Sequence, residues 1–215
     1  MPNNRIIFLL CFCLLAALYI AIEPTTVNPA KAILKILPLL MLIVWVARSH
    51  FPDRTLLLAA LIFGGGGDTF LAYGQFIPGL ASFLIGHLFY TGLWCRGPLL
   101  KKPLYALPAL GLTALCLAFL LPHTGELSLY IGIYILVIGL MATAASVSRL
   151  AIGWGVIGAY SFLFSDFLIG WNRFIEPFWW ARVGIMLSYY AAQLFITYSV
   201  LHFFSNQRNT LANGK

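Results

Sequence analysis

Eight apolar stretches follow one another along the chain, at roughly residues 5–22, 32–47, 55–74, 79–95, 103–121, 127–147, 151–171 and 181–203, with no polar linker or soluble insertion between them. A helix needs about 20 apolar residues to cross a hydrocarbon core of about 30 Å, and most of these stretches come near that length. Pro24, Pro29, Pro52, Pro78, Pro98, Pro122 and Pro177 mark the joints, where a missing backbone donor costs little. Composition agrees: 61% of the 215 residues are hydrophobic and only 9% charged, too few to cover a water-soluble domain of this size. The sequence therefore predicts an all-α polytopic membrane protein with eight transmembrane helices. Residues 1–205 form one domain, and a short polar tail, 206–215, follows it.

Basic residues set the expected orientation. With a cytoplasmic N terminus the inner side carries Arg5, Arg48, Arg54, Arg96, Lys101, Lys102, Arg149, Arg208 and Lys215, and the outer side carries Lys31, Lys35, Arg173 and Arg182. This positive-inside bias, with an even number of helices, returns the C terminus to the cytoplasm. In a bacterium that places the protein in the inner membrane. The net charge of +7 is then explained by topology and anionic lipid, leaving no reason to invoke nucleic acid. The N-terminal run MPNNRIIFLLCFCLLAALYIA has no small-x-small cleavage site before Glu23 and reads as an uncleaved first helix. Cys11, Cys13, Cys95 and Cys116 fit no zinc spacing and read as apolar packing residues.

The polar residues at membrane depth are few and specific. Asp68 lies in LIFGGGGDTFLAY, residues 61–73, in a chain with only six acidic residues. An unpaired charge there costs several kcal/mol, so Asp68 is expected to face the bundle interior. Gly64 to Gly67 give up helix propensity and bare the backbone, which reads as a floor against which something sits. No Gly-Lys-Ser or Gly-Lys-Thr follows, so this is not a nucleotide loop. Asp166, in YSFLFSDFLIGWNRF, lies late in the seventh stretch, which also runs outward. Residues 67–71 and 165–169 look like weak copies four helices apart, consistent with a 4+4 parallel repeat.

Centring the turn between the third and fourth stretches near Ile77 places His87 opposite Asp68, with Tyr90 on the face of His87. Lys35, just before Pro38, enters the second stretch from the same outer side and either snorkels or meets an anionic headgroup. Lys35, Asp68, His87 and Asp166 are thus expected at one level. Two carboxylates sharing a poorly hydrated cavity do not both ionise cheaply, which leaves an acid beside a base for proton transfer to a lipid-borne substrate. No cofactor is implied. A metal is disfavoured, because no His-x-x-x-His or His-Glu pair accompanies these residues.

With those residues in hand, the sequence resembles the YhhN family, which includes the transmembrane protein 86 lysoplasmalogenases of animals. The resemblance is carried by Lys35 with Pro38, by G-D-x-x-L at 67–71, and by Phe76, Gly79, Phe83, His87 and Tyr90. It continues with G-A-x-x-F at 158–162, Ser165 and Asp166 in the run 165–169, and Tyr189, Tyr190 and Gln193. It covers almost the whole chain, the count of eight helices included. The resemblance implies hydrolysis of the vinyl ether bond of lysoplasmalogens to a fatty aldehyde and glycerophosphoethanolamine or glycerophosphocholine. Asp68, Asp166 and His87 become the expected catalytic residues, and Lys35, Gly67, Tyr90, Ser165, Tyr189 and Gln193 the substrate-binding ones. The expected partners are a lysophospholipid or similar amphipathic lipid and the bilayer itself, and the sequence leaves a homodimer open.

Two other readings share these features. Buried acids and a parallel repeat also suit a transporter or binding protein for a small or lipid-like solute, with the acids as proton relay. Gly65-x-Gly67-Asp68 and Pro108-Ala109-Leu110 are similar to motifs of intramembrane aspartyl proteases. In those enzymes, however, the G-x-G-D aspartate comes second and P-A-L follows both, whereas here G-x-G-D comes first and P-A-L lies between the two aspartates.

Overall fold

The computed structural model describes residues 2–22, 29–100 and 102–213, and places eight long helices where the eight apolar stretches lie. They are α1 (Pro2–Ala21), α2 (Pro29–Ala47), α3 (Arg54–Ala72), α4 (Phe76–Arg96), α5 (Leu107–Leu120), α6 (Ser128–Val147), α7 (Trp154–Phe174) and α8 (Ala181–Asn213). Hydrocarbon offers no partner to a free N–H or C=O, so an apolar segment of this length satisfies its backbone internally as a helix. Seven of the helices are long and apolar enough to cross a membrane, and the described part of α1 adds a shorter apolar one, Ile6–Ala21. The protein is multi-pass, with large apolar side chains such as Leu14, Ile33, Leu115, Leu136 and Leu187 exposed around its outside.

Proline and glycine punctuate these helices in mechanistically distinct ways. Pro29 opens α2 and Pro78 lies in the first turn of α4, positions whose N–H would have had no intrahelical acceptor. Both were expected in joints and instead start helices. α3 ends at Gly74, whose φ of 73° is left-handed. Its N–H bonds Leu71 O (3.0 Å) and the next N–H, from Gln75, bonds Phe70 O (2.9 Å), which terminates the helix in a Schellman arrangement. The reversal therefore comes earlier than Ile77. Asp68 precedes Gly74 by six residues and His87 follows Gln75 by twelve. The six-residue difference sets His87 about 9 Å further from the turn, so it does not face Asp68 across the hairpin.

α3 on α4 and α7 on α8 are the two most extensive packings, α2 covers α3 and α8, α4 meets α6, and α1 and α5 flank α2 and α6. Sequence-adjacent helices pair within α1–α4 and within α5–α8. Asp68 lies in α3 and Asp166 in α7.

The joints α2–α3, α4–α5 and α6–α7 meet the last turns of α8 at one end of the bundle. Asp53 pairs with Arg96, Arg149 N–H bonds Pro98 O (2.8 Å), and Phe51 stacks on Phe204. Arg48, Arg54, Arg96, Lys102, Arg149 and Arg208 belong to this end. Pro24, Lys101 and Lys215 lie outside the described residues, as do Glu23 and the side chain of Arg5. Through Asn213 the polar tail after residue 205 continues α8, since Ser205 to Asn213 contains neither proline nor glycine to stop the helix.

Candidate active site

Asp68 is sealed in the core, with 2% of its side chain exposed, and its charge is met from two helices. Lys35 Nζ of α2 lies 3.0 Å from Oδ1, and Tyr189 OH of α8 donates to Oδ2 at 2.6 Å. Gln193 Nε2 donates to Tyr189 OH (3.3 Å), and Tyr90 OH donates to Gln193 Oε1. Five of the expected site residues thus form one hydrogen-bonded network. A further bond ties α2 to α8 beside it: Tyr190 OH donates to the Lys35 carbonyl at 2.8 Å. Lys35 neither snorkels nor stands free for a headgroup; its ammonium is committed to Asp68.

The glycine run explains how two helices close on α3. A Cβ on Gly67 would meet the Phe83 ring at 2.5 Å, one on Gly66 would meet Ser82 Oγ at 2.7 Å, and one on Gly64 would meet Gln193 Nε2 at 3.0 Å. The expected floor exists, but side chains of α4 and α8 sit on it, and α3 runs through it without unwinding.

His87 joins the other aspartate. Its Nε2 lies 3.2 Å from Asp166 Oδ2 and 3.1 Å from Tyr134 OH, and Tyr134 OH donates to the same Oδ2. With the proton on Nε2, both neighbours donate to one carboxylate oxygen, and among the described residues no hydrogen bond reaches Oδ1. The Phe162 ring meets His87 edge-on at 4.6 Å and Tyr189 at 5.4 Å, so an aromatic partition separates the two aspartate networks.

Only one of the two carboxylates reaches open space. An apolar cavity among α3, α4, α5, α6 and α7 has Asp166 and Tyr134 in its wall, Leu163 and Ile138 at its deep end, and Phe76 and Phe174 at the end away from the C terminus. The side chain of Asp166 is 9% exposed. Asp68 is not in this wall. Ser165, expected to bind substrate, instead donates to the Ile185 carbonyl of α8 (3.0 Å) and ties α7 to α8. Gly67 is covered by Phe83. Tyr134 was not anticipated; a tyrosine in the apolar run GIYIL needs a partner for its hydroxyl, and that need was the available signal. Among the described residues no three His, Cys, Asp or Glu side chains gather as a metal-binding set.

A multi-pass helical bundle that buries two aspartate networks, one of them opening on an apolar cavity, is an integral membrane protein with a carboxylate set against an apolar pocket. The family model for the YhhN family matches residues 30–200. The lysoplasmalogenase TMEM86A of Bos taurus is 32% identical over 162 residues, covering 70% of this chain and 67% of that protein. Lysoplasmalogenase TMEM86B of Homo sapiens is 33% identical over 174 residues, 79% of this chain and 75% of the relative. A lysoplasmalogenase of Mycobacterium bovis is 32% identical over 168 residues, 67% and 60% of the two chains. No solved structure matches. The chain belongs to the YhhN family.

Proposed function

We propose that this protein is a lysoplasmalogenase, hydrolysing the vinyl ether of a 1-alkenyl lysophospholipid to a fatty aldehyde and glycerophosphoethanolamine or glycerophosphocholine. The observation that carries the reading is Asp166: a carboxylate with one oxygen held by Tyr134 and His87, set in the wall of an apolar cavity. Protonated on the other oxygen, Asp166 delivers its proton to the vinyl carbon distal to the ether oxygen. The double-bond electron pair forms the new C–H bond, and the ether oxygen shares the positive charge. The hydrogen bonds from Tyr134 and His87 stabilise the carboxylate left behind. Water then adds to the oxocarbenium carbon and returns a proton to Asp166. The hemiacetal breaks its bond to the glycerol oxygen, which takes up a proton, and aldehyde departs.

The two expected aspartates take unequal parts in this scheme. Asp166 transfers the proton; Asp68, neutralised by Lys35, acts on it through the field. The hydrocarbon chain lies in the cavity and passes toward lipid between α5 and α7, where Cys116, Leu163 and Phe167 line both the cavity and a groove on the outer surface. In this reading both termini face the cytoplasm, the side that the positive-inside rule gives to the basic joints at the end of α8.

The test is incubation of purified protein with 1-alkenyl, 1-alkyl and 1-acyl lysophospholipids. Aldehyde should come from the 1-alkenyl lipid alone. Fatty acid from the 1-acyl lipid without aldehyde would redirect the reading to an esterase, and solute movement without any product would redirect it to a transporter.

A further inference from the structure

We propose that Arg173 is the phosphate anchor of this site, and that it sets the depth at which the vinyl ether meets Asp166; the inference rests on the lysophospholipid reading above. Arg173 lies seven residues after Asp166 on α7, two turns along the same face and about 10 Å further toward the end of the bundle. Its Cα–Cβ bond leans back toward the helix N terminus, hence toward the cavity. The guanidinium sits 4.0 Å from the centroid of the Phe76 ring and 5.8 Å from that of Phe174, the two aromatic residues that line the cavity at this end. The two rings meet edge to face at 5.9 Å.

Two other cations at this end, Lys35 and Arg182, are engaged by the protein itself. Lys35 is buried against Asp68, and Arg182 Nη2 donates to the carbonyls of Tyr19 (2.6 Å) and Ile22 (2.5 Å) at the end of α1. Arg173 is exposed, and among the described residues no carboxylate lies within ion-pair distance of it. A guanidinium laid on a ring face keeps its in-plane N–H donors free, in a fork that matches two phosphate oxygens. In a 1-alkenyl lysophospholipid only the glycerol carbons separate phosphate from vinyl ether, a span that Arg173 and Asp166 bracket. The headgroup then stays at the interface while the chain runs past Asp166 toward the seam between α5 and α7.

Binding is measured with two non-hydrolysable probes, a 1-alkyl lysophosphatidylethanolamine and the matching 1-alkylglycerol, which lacks phosphate. Turnover is measured with their 1-alkenyl counterparts. In Arg173→Gln the phosphate-bearing probe should bind about tenfold more weakly while the alkylglycerol binds as in the parent. KM should rise for the alkenyl lysophospholipid with kcat little changed, and Arg173→Lys should fall between. An unchanged ratio of the two affinities in Arg173→Gln overturns the proposal. Alkylglycerol binding reports that the variant is folded. Should Arg173→Gln not fold, Arg173→Lys and the salt dependence of the parent decide, and a phosphate preference indifferent to both overturns the anchor. Failure of the reaction is separable: a parent that releases no aldehyde, yet prefers the phosphate probe through Arg173, loses the hydrolase reading and keeps the anchor.

Discussion

His87 Nε2 and Asp166 Oδ2 stand 3.2 Å apart, from helices 79 residues apart in sequence, and Tyr134 donates to the same oxygen. With the proton on His87 Nε2, two donors on one carboxylate oxygen fix the rotamer of Asp166 and leave its second oxygen for a substrate or water. They also favour the carboxylate that forms when Asp166 gives up a proton. This arrangement suits the proton-transfer role proposed for Asp166, with His87 and Tyr134 holding it.

Asp166→Asn should therefore lower kcat by roughly 100-fold or more while binding of a 1-alkyl lysophospholipid is kept. Tyr134→Phe and His87→Gln each remove or replace one supporting donor and should lower kcat by roughly tenfold, with a changed pH profile in His87→Gln. The double variant should lose less than the product of the singles, because both act on one oxygen. Steady-state kinetics across pH decide, and full turnover in a folded Asp166→Asn protein would end the proton-transfer role.

Asp68 makes a different prediction because its partner is a buried cation. Asp68→Asn strands the Lys35 ammonium and should destabilise the protein by about 3–5 kcal/mol, whereas Lys35→Met combined with Asp68→Leu should recover most of that loss. Thermal unfolding in detergent reads the stability. Aldehyde release by the recovered double variant reads the chemistry: activity would make Asp68 a structural counter-ion, and inactivity would return it to the mechanism.

The eight helices were legible because hydropathy and proline placement both mark them, and the chemistry-bearing side chains because so few polar residues lie at depth. Their partners were not legible. Locating His87 required knowing where α3 ends, and Gly74 in a left-handed conformation ends it several residues before the midpoint that hydropathy suggests. Tyr134 escaped notice because a tyrosine in an apolar helix looks like packing until an acid from α7 is found beside it. The glycine run showed that something approaches α3 closely; only packing shows that Phe83, Ser82 and Gln193 do so.

Close approach at Gly67 gives a stability test. Its missing Cβ position is 2.5 Å from the Phe83 ring, so Gly67→Ala should cost about 1–3 kcal/mol, and Phe83→Leu should relieve part of it. Gly111 in α5 has nothing within 4 Å of the corresponding position, and Gly111→Ala should be neutral or stabilising by up to about 1 kcal/mol. Unfolding temperatures of the three variants check both signs, and an unperturbed Gly67→Ala would mean that α3 and α4 are not locked at this contact.

The orientation is tested with single cysteines in a cysteine-free background. Arg208→Cys, near the end of α8, should react only with membrane-permeant thiol reagents in intact cells. Glu126→Cys, in the joint before α6, should also react with an impermeant one. The reverse pattern would invert the topology and put the basic end outside.

Passage of the hydrocarbon chain between α5 and α7 is tested at Cys116, which is buried and lines both the cavity and the outer groove. An indole there fills space that the chain would occupy, while Asp166, His87 and Tyr134 belong to other helices and keep their contacts. Cys116→Trp should lower kcat/KM for long-chain 1-alkenyl lysophospholipids by roughly tenfold, the scale of a lost apolar contact of one to two kcal/mol. Short-chain analogues, which end before the seam, should be hydrolysed nearly as in the parent. Cys116→Ala opens the passage and should leave the long-chain substrates at least as reactive. An equal loss for both chain lengths in a folded Cys116→Trp protein would show a distorted site rather than a blocked path, and would move the chain away from α5.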